Sequence, residues 1–135
     1  MVHFVTDRTF QRRLLLRPDE ETTQMLGVYL ARTLERCPGL MLYAATCMSN
    51  HFHQVLKDGD AQLSDAMEWH NTQVAKATNV LRDREGDVFG RRYDSAPILD
   101  TAALVDKVVY TVTNATAAGL VSSWREWPGL VLFSL

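Results

Sequence analysis

Apolar positions along the chain recur with two spacings, alternation in some segments and steps of three and four in others. "VHFVT" near the start reads as a strand. Pro18 and Asp19 then offer a helix start, Glu20 and Glu21 suit the positive end of its dipole, and Leu26, Leu30 and Leu34 recur every fourth residue. "CPGL" stops that helix, and "LMLYAATCMS" followed by "HFHQVLK" predicts two strands joined near Ser49 and Asn50. Leu63, Met67, His70, Val74, Ala77 and Leu81 form the stripe of a second amphipathic helix that ends near Arg82. Beyond the charged loop "RDREGD", the second half of "VFGRRYDSAPILD" reads as extended. Asp100 opens a last helix whose apolar face is Val105, Val108, Val109 and Val112.

Strand, helix, hairpin, helix, strand is the order of a ferredoxin-like α+β sandwich, one antiparallel sheet with two helices on one face. The last helix falls outside that count, so its free face is open to another use. On it Tyr110 and Asn114 lie four apart, away from the valines, and their side chains are neighbours one turn apart. No repeat and no low-complexity linker interrupts the pattern, which predicts a single domain over residues 1–135.

With 135 residues, 47% hydrophobic and 22% charged, the chain can bury one sizeable core and falls outside the disordered class. A net charge of -2 excludes a globally basic nucleic-acid binder, so any phosphate affinity has to be local. Arg8, Arg12, Arg13, Arg17, Arg82, Arg84, Arg91 and Arg92 gather near predicted loops, where they suit either phosphate binding or plain solubility. Cys37 and Cys47 form no Cys-x-x-Cys pair, the first residues lack a secretory apolar run, and no apolar stretch approaches the ~20 residues of a membrane span. The expectation is a cytoplasmic protein with reduced thiols and no membrane partner.

"CMSNHFHQVL" carries the strongest chemical signal. On a strand His51 and His53 share one face while Phe52 enters the core, and paired imidazoles on a sheet surface suit a metal ion as well as satisfied core hydrogen bonds. Cys47 could join them in a structural zinc site, but a fourth ligand is missing from the spacing. Tyr29 and Tyr43 read as packing, as does His70 on its apolar stripe, whereas Tyr93 follows "FGRR", a basic and aromatic cluster suited to stacking a base.

"MSNHFHQVL", "GRRYDSAPILD" and "VVYTVTNATAAGLV" followed by "EWPG" together resemble the REP-associated tyrosine transposases, within the HUH single-tyrosine transposase superfamily of prokaryotic insertion sequences. The resemblance spans nearly the whole chain and agrees with the α+β fold, the last helix carrying the nucleophile. It implies that His51 and His53 are paired metal ligands, that Tyr110 is the nucleophile, and that Asn114 supplies a third ligand from the same helix. The implied activity is metal-dependent nicking and rejoining of single-stranded or hairpin DNA through a 5'-phosphotyrosine, with Mg or Mn as the ion. Arg91, Arg92, Tyr93, Arg12 and Arg13 are then the expected DNA contacts, in a monomer or homodimer, and Tyr93 is the rival nucleophile. Two departures from the family pattern are Gln54, where an aliphatic residue is common, and Ala115, where Asn is usually followed by Pro; Ala115 permits the helix to continue. The alternatives are a domesticated or truncated binder of structured single strands that does not cut, and a purely structural metal-binding domain.

Overall fold

The computed structural model describes residues 1–134. Its strands are β1 (Val2–Arg8), β2 (Leu40–Met48), β3 (His51–Asp58), β4 (Asp94–Ile98) and β5 (Val131–Phe133). Its helices are α1 (Glu20–Arg36), α2 (Leu63–Leu81), α3 (Thr101–Val112) and the single turn α4 (Asn114–Ala117). One sheet of order β4-β1-β3-β2-β5 holds all five strands, every neighbour antiparallel, so the ferredoxin-like core is present with β5 added at one edge.

α1 starts where the sequence placed it because the Asp19 carboxylate accepts from the Thr22 N–H, satisfying one of the donors a helix start leaves open. The same carboxylate pairs with Arg82 at 2.9 Å, tying the start of α1 to the end of α2. Leu26 and Leu30 from α1 and Val74 from α2 meet Ala45, Cys47 and Phe52 of the sheet. Below them, Leu63, Ala66 and Met67 of α2 close on Val5 and Leu56. Phe52, fully buried, therefore enters the core as its alternation requires, and so does Gln54, whose amide meets Met67 Sδ at 3.9 Å. His70 packs at 5.6 Å from the Phe52 ring, as its stripe position predicted, while Ala77 and Leu81 give way to Thr78 as the last buried residue of α2.

α3 covers the opposite face. Val108 and Val112 join Ala44, Val55 and Ile98 in a separate apolar cluster, each such side chain contributing about 1.5–3 kcal/mol on burial. Asp100 caps it, its carboxylate accepting from the Ala103 N–H. The buried side of α3 differs from the expected valine face: Val108, Thr111 and Val112 are buried, whereas Val105 and Val109 are 48% and 55% exposed. Thr46 Oγ1 donates to the Thr111 carbonyl at 2.6 Å, a bond that goes with this rotation alongside the packing of Val108 and Val112 on the sheet.

Nor does the helix run through Asn114. Thr113 breaks it at φ -94° and ψ 10°, its hydroxyl donating back to the Val109 carbonyl at 2.6 Å, a bond that bends helices. Asn114 thus begins α4 rather than sharing a helix with Tyr110, although Ala115 removed the steric reason for a break. The "EWPG" segment is structural: the Trp127 indole donates to the Cys47 carbonyl at 3.0 Å. A Cβ on Gly129 would stand 2.6 Å from that indole nitrogen and 2.9 Å from Pro18, so only glycine fits.

Candidate active site

Register places the two histidines. His53 lies between Thr6 of β1 and Thr46 of β2, and His51 between Arg8 and Met48, all with side chains on the α3 face. Their ring centroids are 4.6 Å apart. His53 is 5% exposed, stacked on Phe4 at 5.0 Å, with Nδ1 3.0 Å from Thr6 Oγ1. His53 is therefore packed beneath α3, whereas His51 is only half-buried and lines a surface cleft.

The Tyr110 ring stands edge-on to His53 at 5.8 Å and to Phe4 at 5.9 Å, and the residue is 47% exposed. Thr46 sets its height, since the hydroxyl that holds Thr111 belongs to the cross-strand neighbour of His53. Lys107, one turn earlier on α3, brings Nζ to 4.6 Å from the Phe4 ring centroid and 5.2 Å from that of Tyr110. Sequence reading passed over Lys107, although its three-residue step from Tyr110 was the available signal.

Across the break at Thr113, Asn114 turns its Oδ1 to 3.2 Å from His51 Nε2, while the other ring nitrogen of His51 lies 2.9 Å from Asn50 Oδ1. A neutral imidazole has one N–H and one lone pair. With both amide oxygens facing the ring, one nitrogen must present its lone pair to an oxygen. Whichever nitrogen carries the proton, the Asn114 oxygen and His51 Nε2 stand within hydrogen-bond distance of each other.

Electrostatics keep the imidazoles neutral. Burial pushes the His53 pKa down to about 3, helped by the neighbouring His51, Arg8 and Lys107. Burial also lowers that of His51, with Asn114 opposing and Arg8 assisting. The pair with the Asn114 oxygen is a donor set of two neutral nitrogens and one oxygen; among the described residues no group of three His, Cys, Asp or Glu forms another. Cys47 stands on the far face with its thiol donating to the Met48 carbonyl, and burial raises its pKa, so a zinc site shared with the histidines does not form.

Arg8 and Arg12 line a cleft of about 170 Å³ with Asn50 and His51. Arg12 reaches it because Gln11 and Arg12 adopt left-handed backbone at φ 53° and 55°, a conformation that costs of order 1 kcal/mol or more per residue. The Thr9 hydroxyl donates to the Arg13 carbonyl at 2.7 Å, and Asn50 Nδ2 to the Arg12 carbonyl at 3.5 Å, closing that turn on the histidine hairpin. Arg13 stays over the Phe10 ring at 5.7 Å and does not line this cleft. Arg8 and Arg91 share Asp94, at 2.6 and 3.4 Å. Arg82 and Arg84 serve the fold: one bonds Asp19, Thr22 and the Leu15 carbonyl, the other Asn79 and the Asp87 carbonyl.

Arg92 lies over the Tyr93 ring at 5.1 Å, and Tyr93 packs against the Val5, Leu56 and Met67 cluster. That cluster is on the α1/α2 face. The sheet therefore separates Tyr93 from the histidines, which removes it as a rival nucleophile.

No protein-family model matches the chain, and no curated protein does. Among solved structures it is similar to a REP-associated tyrosine transposase bound to a REP hairpin, with a TM-score of 0.74 at 20% identity over 95% of this chain and 74% of that one. It is also similar to a "putative transposase" from Deinococcus radiodurans R1, with a TM-score of 0.58 at 16% identity over 81% of this chain and 88% of that one. The chain thus has the α+β fold of these transposases over most of its length.

Proposed function

We propose that the chain is a member of the HUH tyrosine transposases that nicks and rejoins single-stranded DNA through Tyr110. The observation that carries this reading is the convergence of two distant segments: His51 and His53 from β3 meet Tyr110 of α3 and Asn114 of the adjoining α4 on one face of the sheet. A core histidine pair that existed for packing would have no need of a half-exposed tyrosine and an amide oxygen 3.2 Å from one of its ring nitrogens. The similarity in fold to a transposase bound to a REP hairpin supports the same reading.

His51 Nε2, His53 Nε2 and Asn114 Oδ1 would hold a divalent ion such as Mg or Mn, and the 3.2 Å approach of His51 Nε2 to Asn114 Oδ1 fits that role. Such an ion, when bound, offsets charge on the scissile phosphate. Asn50 and Thr6 occupy the second nitrogen of each ring and fix its orientation.

Tyr110 Oη attacks phosphorus, forming a phosphotyrosine bond to the 5' side while the 3' oxygen leaves and takes up a proton as a 3'-hydroxyl. The phenol proton passes to solvent, to which the half-exposed ring has access. Lys107 places positive charge 5.2 Å from the Tyr110 ring centroid, where it favours the negative charge that develops on the phenol. Rejoining reverses the exchange: an incoming 3'-hydroxyl attacks the same phosphorus and Tyr110 leaves. No external energy source is consumed, since one phosphodiester-like bond replaces another.

The test is a covalent protein–DNA band that survives denaturation when the protein is mixed with Mn or Mg and a labelled hairpin with single-stranded flanks. Tyr110→Phe should abolish it while leaving DNA affinity intact. If hairpins that bind never form the adduct with the unaltered chain, the protein is a binder that does not cut.

A further inference from the structure

A second cleft, of about 380 Å³, lies on the opposite side of the sheet from Tyr110, between α2 and the segment that leads into β4. Phe89 and Tyr93 supply its aromatic walls, Arg91 and Arg92 its rim, and Glu68 and Asn71 its polar wall. We infer that this cleft is a base-reading subsite, taking one unpaired nucleobase that carries an exocyclic amino group from the same DNA strand whose phosphate lies at Tyr110. The inference rests on the proposed DNA-strand chemistry for the identity of its ligand.

Three observations carry it. The first is continuity. The cleft of Arg8, Arg12, Asn50 and His51 shares Arg8 and Arg12 with a neighbouring cleft of about 340 Å³ that also holds Phe10, Gly90 and Arg91. Arg91 in turn lines the 380 Å³ cleft. A path edged by arginines thus runs from His51 around the β1–β4 edge of the sheet to Tyr93, and guanidinium groups suit a phosphate backbone.

The second is a buried clamp on Asn71 that the chemistry at Tyr110 does not use. Asp7, 1% exposed, accepts from Asn71 Nδ2 at 2.7 Å. His70, fully buried and kept neutral by burial, donates from Nδ1 to Asn71 Oδ1 at 3.0 Å. Asp7 Oδ2 and His70 Nε2 are left without partners, a costly arrangement for groups that only fill space. Each of the two contacts uses one of the amide's two N–H groups or one of its two lone pairs. The half-buried amide is locked in one orientation, with one donor and one acceptor uncommitted.

The third is the composition of the walls. A base stacks on aromatic rings regardless of identity, and Arg92 already lies over Tyr93. Identity is read at the polar wall. A fixed donor–acceptor pair on Asn71 matches the hydrogen-bonding edge of a base. Glu68 is exposed and, when ionised, only accepts, so it favours an exocyclic amino group over the single N3–H of thymine, which two carbonyl oxygens flank and which the carboxylate can reach only against their lone pairs. Adenine, cytosine and guanine are therefore favoured over thymine.

The experiment measures binding, separately from cutting, by fluorescence anisotropy with one hairpin carrying flanks of dA, dC or dT. The unaltered chain should bind dA and dC flanks about tenfold more tightly than dT, the discrimination typical of one good base contact. Asn71→Ala should bring the three within about twofold, and Glu68→Gln, on an exposed position that the fold does not need, should shrink the preference in the same direction. Adduct formation at saturating DNA should persist in both variants, which separates loss of this subsite from failure of the Tyr110 chemistry. Equal affinity for all three flanks, or a preference unchanged in Glu68→Gln and in a folded Asn71→Ala, overturns the inference. Adenosine monophosphate alone is the final arm: tighter binding of the free nucleotide than of the dA hairpin would assign the cleft to a mononucleotide and overturn its assignment to the strand.

Discussion

His51 Nε2 and Asn114 Oδ1 lie 3.2 Å apart across a sequence separation of 63 residues. The contact joins β3 to α4, and the break at Thr113 is what turns Asn114 toward the histidines.

Divalent-ion binding should therefore depend on more than the imidazoles. Isothermal titration with Mn should show weaker binding in His51→Ala and Asn114→Ala. Asn50→Ala, which removes only the partner of His51 Nδ1, should weaken it about tenfold, the usual effect of losing an orienting group. His53 is better probed by Gln than by Ala, because its ring is buried against Phe4 and truncation would open a cavity. Unchanged Mn affinity in all four variants would remove the metal reading.

Single-strand binding should be governed by the arginines around Asp94. Arg91→Ala and Arg92→Ala should each flatten the dependence of log affinity on log salt by about 0.7, the share of one phosphate contact on a single strand. Asp94→Asn should have the opposite effect, strengthening binding, since Asp94 engages both Arg8 and Arg91 in exposed pairs worth little to stability. Anisotropy across a salt series measures both. Identical slopes in the two arginine variants would place them outside the DNA path.

Much of this was legible in the sequence because the signals were local. Asp19, Asp100 and the Ser49–Asn50 turn bounded their elements through short-range chemistry, and strand alternation put His51 and His53 on one face with Phe52 on the other. The rotation of α3 was not legible. Its aliphatic residues cover more than one side, so periodicity identified a helix without fixing which valines are buried; contacts with the sheet, among them a hydroxyl from Thr46, 65 residues away, go with that choice. The break at Thr113 arises from a side-chain bond that competes with the helix, and no proline announced it. Arg8 and Lys107 reached the site through register and helical spacing to residues that were themselves only candidates, and the Asp7–Asn71 contact spans 64 residues.

Asp7 should impose a pH dependence on stability. Burial raises its pKa to about 7 against 3.8 for the free group, with Asn71 opposing and the Asp94 charge assisting. A raised folded-state pKa means the native protein holds a proton that the unfolded chain releases, so this contribution is complete below pH 3.8 and is lost as pH rises through 7. Three pKa units correspond to roughly 4 kcal/mol at ~1.4 kcal/mol per unit. His53 acts in the opposite sense over an overlapping window: its pKa falls to about 3, so its contribution is present above 6.5 and is lost on acidification. Asp7→Asn removes the first effect alone. Its melting temperature relative to the unaltered chain should rise from pH 4 to about pH 7 and then level off in thermal scans, and a constant difference would contradict the buried-carboxyl assignment.

Lys107 should matter to the rate of adduct formation rather than to DNA affinity as a whole. Its ammonium stands 5.2 Å from the Tyr110 ring centroid and 4.6 Å from that of Phe4, on the turn of α3 that precedes the nucleophile. In the resting protein the contact is a cation over an aromatic face, worth about 1 kcal/mol near the surface. During attack the phenol oxygen takes on negative charge, and a fixed cation alongside then stabilises the transition state more than the ground state, which is the condition for raising a rate. Lys107→Gln keeps length and polarity while removing the charge, and should slow single-turnover adduct formation at saturating DNA by about tenfold, some 1.4 kcal/mol. Lys107→Arg should retain most of the rate, because charge rather than a transferable proton is what the position supplies. A Gln variant that reacts at the unaltered rate would leave Lys107 as a packing partner of Phe4. A slow Arg variant beside a slow Gln variant would show instead that the position needs the compact ammonium, and would assign it a proton to move.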